Sequence, residues 1–113
     1  MAGQADYFIV RKKAYINVSG YPRVECEGKS KNLSNRSFGI GRDKHNALIV
    51  ADPKASKFHA VVKFVKGIGY IKDQHSKNGT YINGKEIAPD RDTRLSPGDE
   101  IRIGQTVLMY VCR

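Results

Sequence analysis

Three short segments hold the side chains of this sequence that could act together chemically. Gly41-Arg42 brings a guanidinium, Asp52 to Lys57 brings the Ser56 hydroxyl beside Lys57, and Asp73 to Thr80 brings Ser76, Lys77, the Asn78 amide and the Thr80 hydroxyl. Donors outnumber acceptors in this set, which is what a bound dianion such as a phosphate requires. A guanidinium can grip two phosphate oxygens at once, a serine hydroxyl can donate to a third, and an asparagine can brace a peptide backbone with its paired donor and acceptor. Each piece also has a plainer use. Arg42 could pair with Asp43 or Asp73, Ser56 could be a turn former after Asp52-Pro53, and Asn78-Gly79 could be only a turn.

A hydrolytic reading of the same residues is weaker. Ser56, His59 and Asp73 name the members of a Ser-His-Asp triad, but Ser56 lies only three residues before His59 at the start of a strand. No Gly-x-Ser-x-Gly elbow is present and no second group offers an oxyanion hole. The three histidines, His45, His59 and His75, stand apart without ligand spacing, so no metal centre is expected. Gly39 and Gly41 lack the Gly-Lys-Ser/Thr that completes a nucleotide loop. A non-enzyme without a cofactor is expected.

The elements that must position these segments read as strands. Apolar residues alternate every second position in short runs, and no segment sustains a 3.6-residue period. Strands are expected near Tyr7 to Val10, Tyr15 to Val18, Arg23 to Cys26, Phe38 to Gly41, Leu48 to Val50, Phe58 to Val65, Gly69 to Lys72, Thr80 to Ile82, Arg94 to Leu95, Glu100 to Ile103 and Val107 to Cys112. In the sixth, Phe58, Ala60, Val62 and Phe64 share one face, and His59, Val61, Lys63 and Val65 the other. About 11 short strands do not make one open sheet at this size, so an all-β, two-sheet antiparallel sandwich is expected. Asn83-Gly84 is the best two-residue hairpin turn, because both positions tolerate positive φ. Gly28 to Ser37 is polar throughout most of its length and reads as a long flexible loop.

The chain has 113 residues, one domain's worth, and residues 1–113 are taken as a single unit. Its longest apolar run, Val107 to Cys112, is six residues, far short of the roughly 20 that cross a bilayer. Met1 to Asp6 carries no basic start and Tyr7 to Val10 is too short for a signal core, so a cytoplasmic or nuclear protein is expected. Cys26 and Cys112 lie in apolar alternating stretches without CxxC spacing, which predicts reduced, buried thiols. Lys plus Arg number 20 against 11 Asp plus Glu, a net +9 that attracts polyanions of any kind. The densest basic run is only Arg11 to Lys13, and the remaining charges are spread singly, as on a solvated face.

From Phe38 to the C-terminus the sequence resembles the forkhead-associated (FHA) domain. The residues that carry the resemblance are Gly41-Arg42, Ser56-Lys57-Phe58-His59, Asp73-Gln74-His75-Ser76-Lys77-Asn78-Gly79-Thr80, Asn83-Gly84, and Leu95 with Gly98-Asp99-Glu100-Ile101-Arg102-Ile103-Gly104. Order and spacing agree throughout, and the strand count suits the family's 11-stranded topology. Gln74 departs from the pattern, standing where an apolar residue usually follows the Asp, and the segment before Phe38 is unusually polar. Neither departure touches the phosphate positions.

The resemblance implies a module that binds phosphothreonine-containing segments of partner proteins in signalling. It implies that Arg42 and Ser56 bind the phosphate and that Asn78 holds the ligand main chain, with Lys57, Lys77 and Thr80 as helpers. His59 would support the loops, and Gly41 and Gly79 would serve backbone shape. Two rival functions remain at this level. One is a protein-interaction domain that needs no phosphate. The other is a basic nucleic-acid-binding β domain, for which +9 with six tyrosines and four phenylalanines could supply charge and stacking rings. Most of those aromatics occupy alternating strand positions and read as core, which disfavours it.

Overall fold

Ile101 and Ile103 are fully buried while Glu100 and Arg102 between and beside them are half-buried, the alternation of a strand with one face on a core. The same rule organises the computed structural model, which describes residues 8–113. In chain order the strands are β1 (Phe8–Val10), β2 (Lys13–Asn17), β3 (Arg23–Cys26), β4 (Lys29–Asn32), β5 (Ser37–Gly41), β6 (Leu48–Val50), β7 (Ala60–Val65), β8 (Ile68–Asp73), β9 (Thr80–Ile82), β10 (Lys85–Glu86), β11 (Asp92–Arg94), β12 (Glu100–Ile103) and β13 (Thr106–Val111). One sheet has the order β1-β6-β5-β7-β8-β11 and the other β10-β9-β12-β13-β2-β3-β4. Ile16, Val24, Ile40, Leu48, Val62, Ile71, Ile101 and Leu108, all fully buried, fill the core. Among the described residues no helix is long and apolar enough to cross a membrane. Tyr7, the first residue of the first expected strand, and Met1 to Asp6 lie outside the described residues.

The all-β sandwich is as expected, with three differences. First, the sheets are mixed and not antiparallel throughout: β1 with β6, β5 with β6, and β13 with β2 run parallel. Second, 13 strands form among the described residues instead of 11. β4 lies inside the expected loop Gly28 to Ser37. Its Lys-Ser-Lys-Asn sequence has no apolar alternation to read, and it is held by backbone pairing to β3 across a tight turn at Glu27-Gly28, where φ is 52° and 78°. β10 follows Asn83-Gly84, whose φ values of 51° and 84° are those the hairpin reading required.

Third, Phe58 does not share the core face of β7. It is 55% exposed, whereas His59 and Ala60 beside it are both buried, and regular pairing begins only at Ala60. The backbone just before β7 is fixed from outside the sheet: the Lys57 carbonyl accepts from the Asp43 amide at 3.1 Å and from Asn46 Nδ2 at 2.7 Å. Those anchors override the alternation. The cysteines also divide. Cys26 is buried as expected, but Cys112, one residue past β13, is exposed; beyond the last paired residue of the strand its thiol meets Ser19 at the surface and not the core.

Candidate functional site

The loops 42–47, 51–59 and 74–79 follow β5, β6 and β8 and are stitched to one another by hydrogen bonds. The Arg42 amide donates to the Ser56 carbonyl at 2.9 Å, and Arg42 Nε donates to the Ala55 carbonyl at 3.0 Å. The Lys77 amide donates to Ser56 Oγ at 2.9 Å, and Asn78 Nδ2 donates to the Lys54 carbonyl at 2.9 Å. Arg42, Ser56, Lys57, Lys77 and Asn78 are thereby gathered at one end of the sandwich, all exposed except Ser56, which is half-buried.

Gly41 makes the first of these contacts possible. A Cβ there would lie 2.2 Å from the Lys57 carbonyl oxygen, so only glycine lets the β5 end and the 51–59 loop touch backbone to backbone. Asn46, buried in the first loop, completes the seam by donating Nδ2 to both the Asp43 and Lys57 carbonyls. Sequence reasoning passed over Asn46. Its only signal is an amide placed between charged loop residues and the apolar strand Leu48–Val50.

Beneath the loops lies His59. It is fully buried, its Nδ1 accepts from the Ser56 amide at 3.0 Å, and its Nε2 faces the Gly79 carbonyl at 2.9 Å. The two partners assign the tautomer: a ring nitrogen that accepts carries no proton, so the proton sits on Nε2 and is donated to Gly79. Burial pushes the His59 pKa below the ordinary histidine value, against the opposing pull of the Gly79 carbonyl and Asp73, and keeps the ring neutral. One neutral imidazole thus ties the second loop to the third.

Asp73 closes the third loop. Burial of the carboxyl works against ionisation, but hydrogen bonds from Ser76 and Thr80 outweigh it and hold its pKa below the usual carboxylate value. Ser76 Oγ donates to Asp73 Oδ1 at 2.5 Å, the Ser76 amide donates to Oδ2 at 3.0 Å, and Thr80 Oγ1 donates to Oδ1 at 2.7 Å. Ser76 Oγ in turn accepts from the Gly79 amide at 3.0 Å, a role the sequence hid although the Asp-x-x-Ser spacing allows it.

Thr80 is therefore not where the sequence reading placed it. It is fully buried and spends its hydroxyl on Asp73, so it holds the loop and cannot reach a ligand. Arg42 pairs with neither Asp43 nor Asp73: Asp43 accepts from His45, and Asp73 is taken up by Ser76 and Thr80. Ser56, His59 and Asp73 do not form a nucleophile relay either, because His59 receives the Ser56 amide and not its hydroxyl.

What remains unspent faces outward. Among the described residues the terminal nitrogens of Arg42 have no protein acceptor, and Arg42, Lys57 and Lys77 take part in no ion pair. Ser56 Oγ accepts from Lys77, which leaves its own proton free to donate. Asn78 has committed one amide hydrogen, leaving its carbonyl and second hydrogen available. This is a patch of donors and positive charge without a counter-ion.

Known proteins are similar to this chain in sequence and fold. The family model described as "FHA domain" matches residues 38–104. The chain is 40% identical over 81 residues to human "Angiogenic factor with G patch and FHA domains 1", covering 66% of this chain and 11% of that protein. It is 32% identical over 103 residues to the serine/threonine-protein kinase cds1 of Schizosaccharomyces pombe, covering 80% of this chain and 22% of that one. The chain thus spans a small part of the length of these relatives. Among solved structures, the N-terminal FHA domain of Rad53p from S. cerevisiae, in complex with a phosphothreonine peptide, superposes with a TM-score of 0.63 at 24% identity, covering 73% of this chain and 80% of that one. The MEK1 FHA domain, in complex with a HOP1 phosphothreonine peptide, gives 0.59 at 27% identity over 72% and 86%. Strands β1 to β4 precede the matched residues, yet β2 sits between β13 and β3 and β1 pairs with β6, so they complete both sheets. By the match over residues 38–104 and these likenesses, the chain belongs to the FHA domain family.

Proposed function

We propose that this FHA domain is a phosphothreonine-dependent protein-interaction module and acts by binding alone, without catalysis, cofactor or metal. The observation that carries the reading is the unspent donor set: among the described residues the terminal nitrogens of Arg42 and the Ser56 hydroxyl have no protein acceptor, and neither Arg42 nor the neighbouring Lys57 and Lys77 is paired with a carboxylate. A phosphate dianion supplies the missing acceptors. Arg42 and Ser56 take the phosphate oxygens, Lys57 and Lys77 add charge at its rim, and Asn78 bonds the ligand main chain next to the phosphothreonine. The MEK1 FHA domain, solved with a phosphothreonine peptide, supports the ligand class. The partner is a phosphothreonine-containing protein, and the binding unit is residues 1–113 with the motifs in 38–113.

The test is a titration of one peptide in phosphothreonine, phosphoserine and unphosphorylated forms against wild type and Arg42→Ala at physiological salt. Removing one partner of a desolvated charge pair costs roughly 2–5 kcal/mol. At about 1.4 kcal/mol per decade that is about a 30-fold loss or more for the phosphothreonine peptide. A loss below threefold would overturn the reading. Equal, salt-sensitive binding of all three forms would favour a phosphate-independent or nucleic-acid partner.

A further inference from the structure

A second concave surface begins where the proposed phosphothreonine site ends. Lys54, Asn78, Tyr81, Arg102 and Gln105 line a groove of about 370 Å³, and through Lys54 and Gln105 it continues into another of about 440 Å³ beside Arg11, Lys12 and Pro53. Neither contains Arg42 or Ser56, so the surface is distinct from the proposed phosphate position and meets that site at Asn78.

Sheet geometry sets its charge. Along β9 and β12, Thr80, Ile101 and Ile103 point into the core, which leaves Tyr81 and Arg102 on the outer face as direct register partners. The Arg102 guanidinium lies over the Tyr81 ring, 4.4 Å from its centroid, and donates to the Gly104 carbonyl at 3.3 Å. It is a planar cation held in place. Lys54 is held at its backbone by Asn78 Nδ2 and by Asp52, and the corner carrying Arg11 and Lys12 is fixed by the Val107 amide donating to the Lys12 carbonyl. Arg11, Lys12, Lys54 and Arg102 form no ion pair among the described residues. Among the described residues the one carboxylate lining the surface, Asp52, is buried and already accepts from the Lys54 and Gln105 amides and the Thr106 hydroxyl.

We infer that this groove is a second anion subsite that takes acidic side chains on one flank of the same phosphothreonine ligand. The inference rests on the proposed phosphopeptide reading, since Asn78 and Lys54 join the two surfaces. It selects ligands whose phosphothreonine is followed or preceded, on that one side, by aspartate, glutamate or a further phosphorylated residue. A nucleic acid fits less well, because a face of Tyr81, the one ring in the groove, is already covered by Arg102 where a base would stack.

The experiment compares one phosphothreonine peptide with neutral flanks, with an Asp/Glu-rich N-terminal flank, and with an Asp/Glu-rich C-terminal flank. Each is titrated into wild type, Arg11→Gln/Arg102→Gln, and the remote control Lys29→Gln/Lys66→Gln, with Arg42→Ala run alongside. The expected result is about a tenfold gain from one acidic flank and not the other in wild type. The groove variant reduces that gain below threefold and leaves neutral-flank binding within twofold, while the control keeps it. No gain from either flank, with Arg42-dependent binding intact, overturns the subsite and leaves the phosphothreonine reading standing. Equal losses in the groove and control variants overturn it in favour of the overall +9 field. Groove-dependent binding of a single-stranded oligonucleotide, without the flank effect, assigns the groove to nucleic acid instead. Failure of every peptide to show Arg42-dependent binding overturns the underlying reading and the subsite with it.

Discussion

The Ser56 amide donates to Nδ1 of His59 at 3.0 Å, so the residue proposed above to offer a phosphate its hydroxyl is held by a histidine that must be unprotonated at that nitrogen. Protonating Nδ1 would set an N–H against the Ser56 N–H inside a fully buried site. The fold of the ligand loops is therefore coupled to pH through one ring.

His59 has a folded pKa below its ordinary value of about 6.5 because of burial. The unfolded chain then binds more protons as pH drops through that value, and stability falls with it. The stability is fully present above about 6.5 and is lost progressively until pH reaches the lower folded value. Asp73, also lowered in the fold despite its burial, through hydrogen bonds from Ser76 and Thr80, adds a second loss as pH falls from the usual carboxylate range, about 3.9, through its own folded value. Urea midpoints measured at pH 7.5 and 5.5 should drop in wild type, and phosphopeptide affinity should fall with them. His59→Gln should lower the midpoint at pH 7.5 and flatten the difference between the two; an equally steep difference in the variant would remove His59 as its source.

Gly41→Ala places a methyl group 2.2 Å from the Lys57 carbonyl oxygen and 2.9 Å from Asn46 Nδ2. Backbone and a buried amide cannot swing aside as a flexible side-chain tip does. Overpacking of this kind costs about 1–3 kcal/mol, and the displaced 51–59 loop should carry Ser56 out of place. Chemical denaturation with a parallel phosphopeptide titration should show both losses; wild-type stability would mean that the two loops are free to separate.

The sequence exposes those parts of this fold where side chains report their surroundings. Alternation in Glu100–Ile103 and Thr106–Val111 is legible because one face of each strand meets the core. Asn83-Gly84 is legible because its φ values demand those residue types. β4 is illegible, since Lys29–Asn32 is a strand by backbone pairing alone. Phe58 misleads for the opposite reason: its apolar type fits the pattern of β7, but tertiary hydrogen bonds to Lys57 and the burial of His59 decide its orientation. At the site, Arg42, Ser56, Lys57, Lys77 and Asn78 stand together as their spacing suggested. Thr80 shares the segment and the hydroxyl chemistry, and only its inward direction from β9 shows that it serves Asp73. No linear pattern encodes that direction before the strand's register is known.

The two thiols give a test of the fold that is independent of any ligand. Cys26 is buried, its thiol accompanied by the Lys13 carbonyl at 3.3 Å, and burial followed by the nearby Glu27 charge raises its pKa. Both effects reduce the thiolate that reacts. Cys112 is exposed beside Ser19. With a disulfide-exchange reagent at pH 7.5 one thiol should react promptly in the native protein and the second only on addition of denaturant, and Cys112→Ser should abolish the prompt phase. Two equal prompt phases would place β3 and β4 in rapid opening at that edge.

Thr80 and Asn78 are two residues apart and should fail in opposite ways. Thr80→Val keeps the shape of a fully buried side chain but leaves Asp73 Oδ1 without one of its two hydroxyl donors. A hydrogen bond to a charged group is worth about 1.5–3 kcal/mol, so the denaturation midpoint should fall by that order. Affinity for a phosphothreonine peptide, measured where the variant is folded, should stay within about threefold. Asn78→Ala removes an exposed side chain whose only protein bond among the described residues is to the Lys54 carbonyl. Its stability should change by less than about 1 kcal/mol, since that one bond lies at the surface. Its peptide affinity should fall about tenfold or more, because the ligand backbone loses both a donor and an acceptor. The reversed outcome, with Thr80→Val weak in binding but stable and Asn78→Ala unstable but tight, would exchange the two assignments and return Thr80 to the ligand surface.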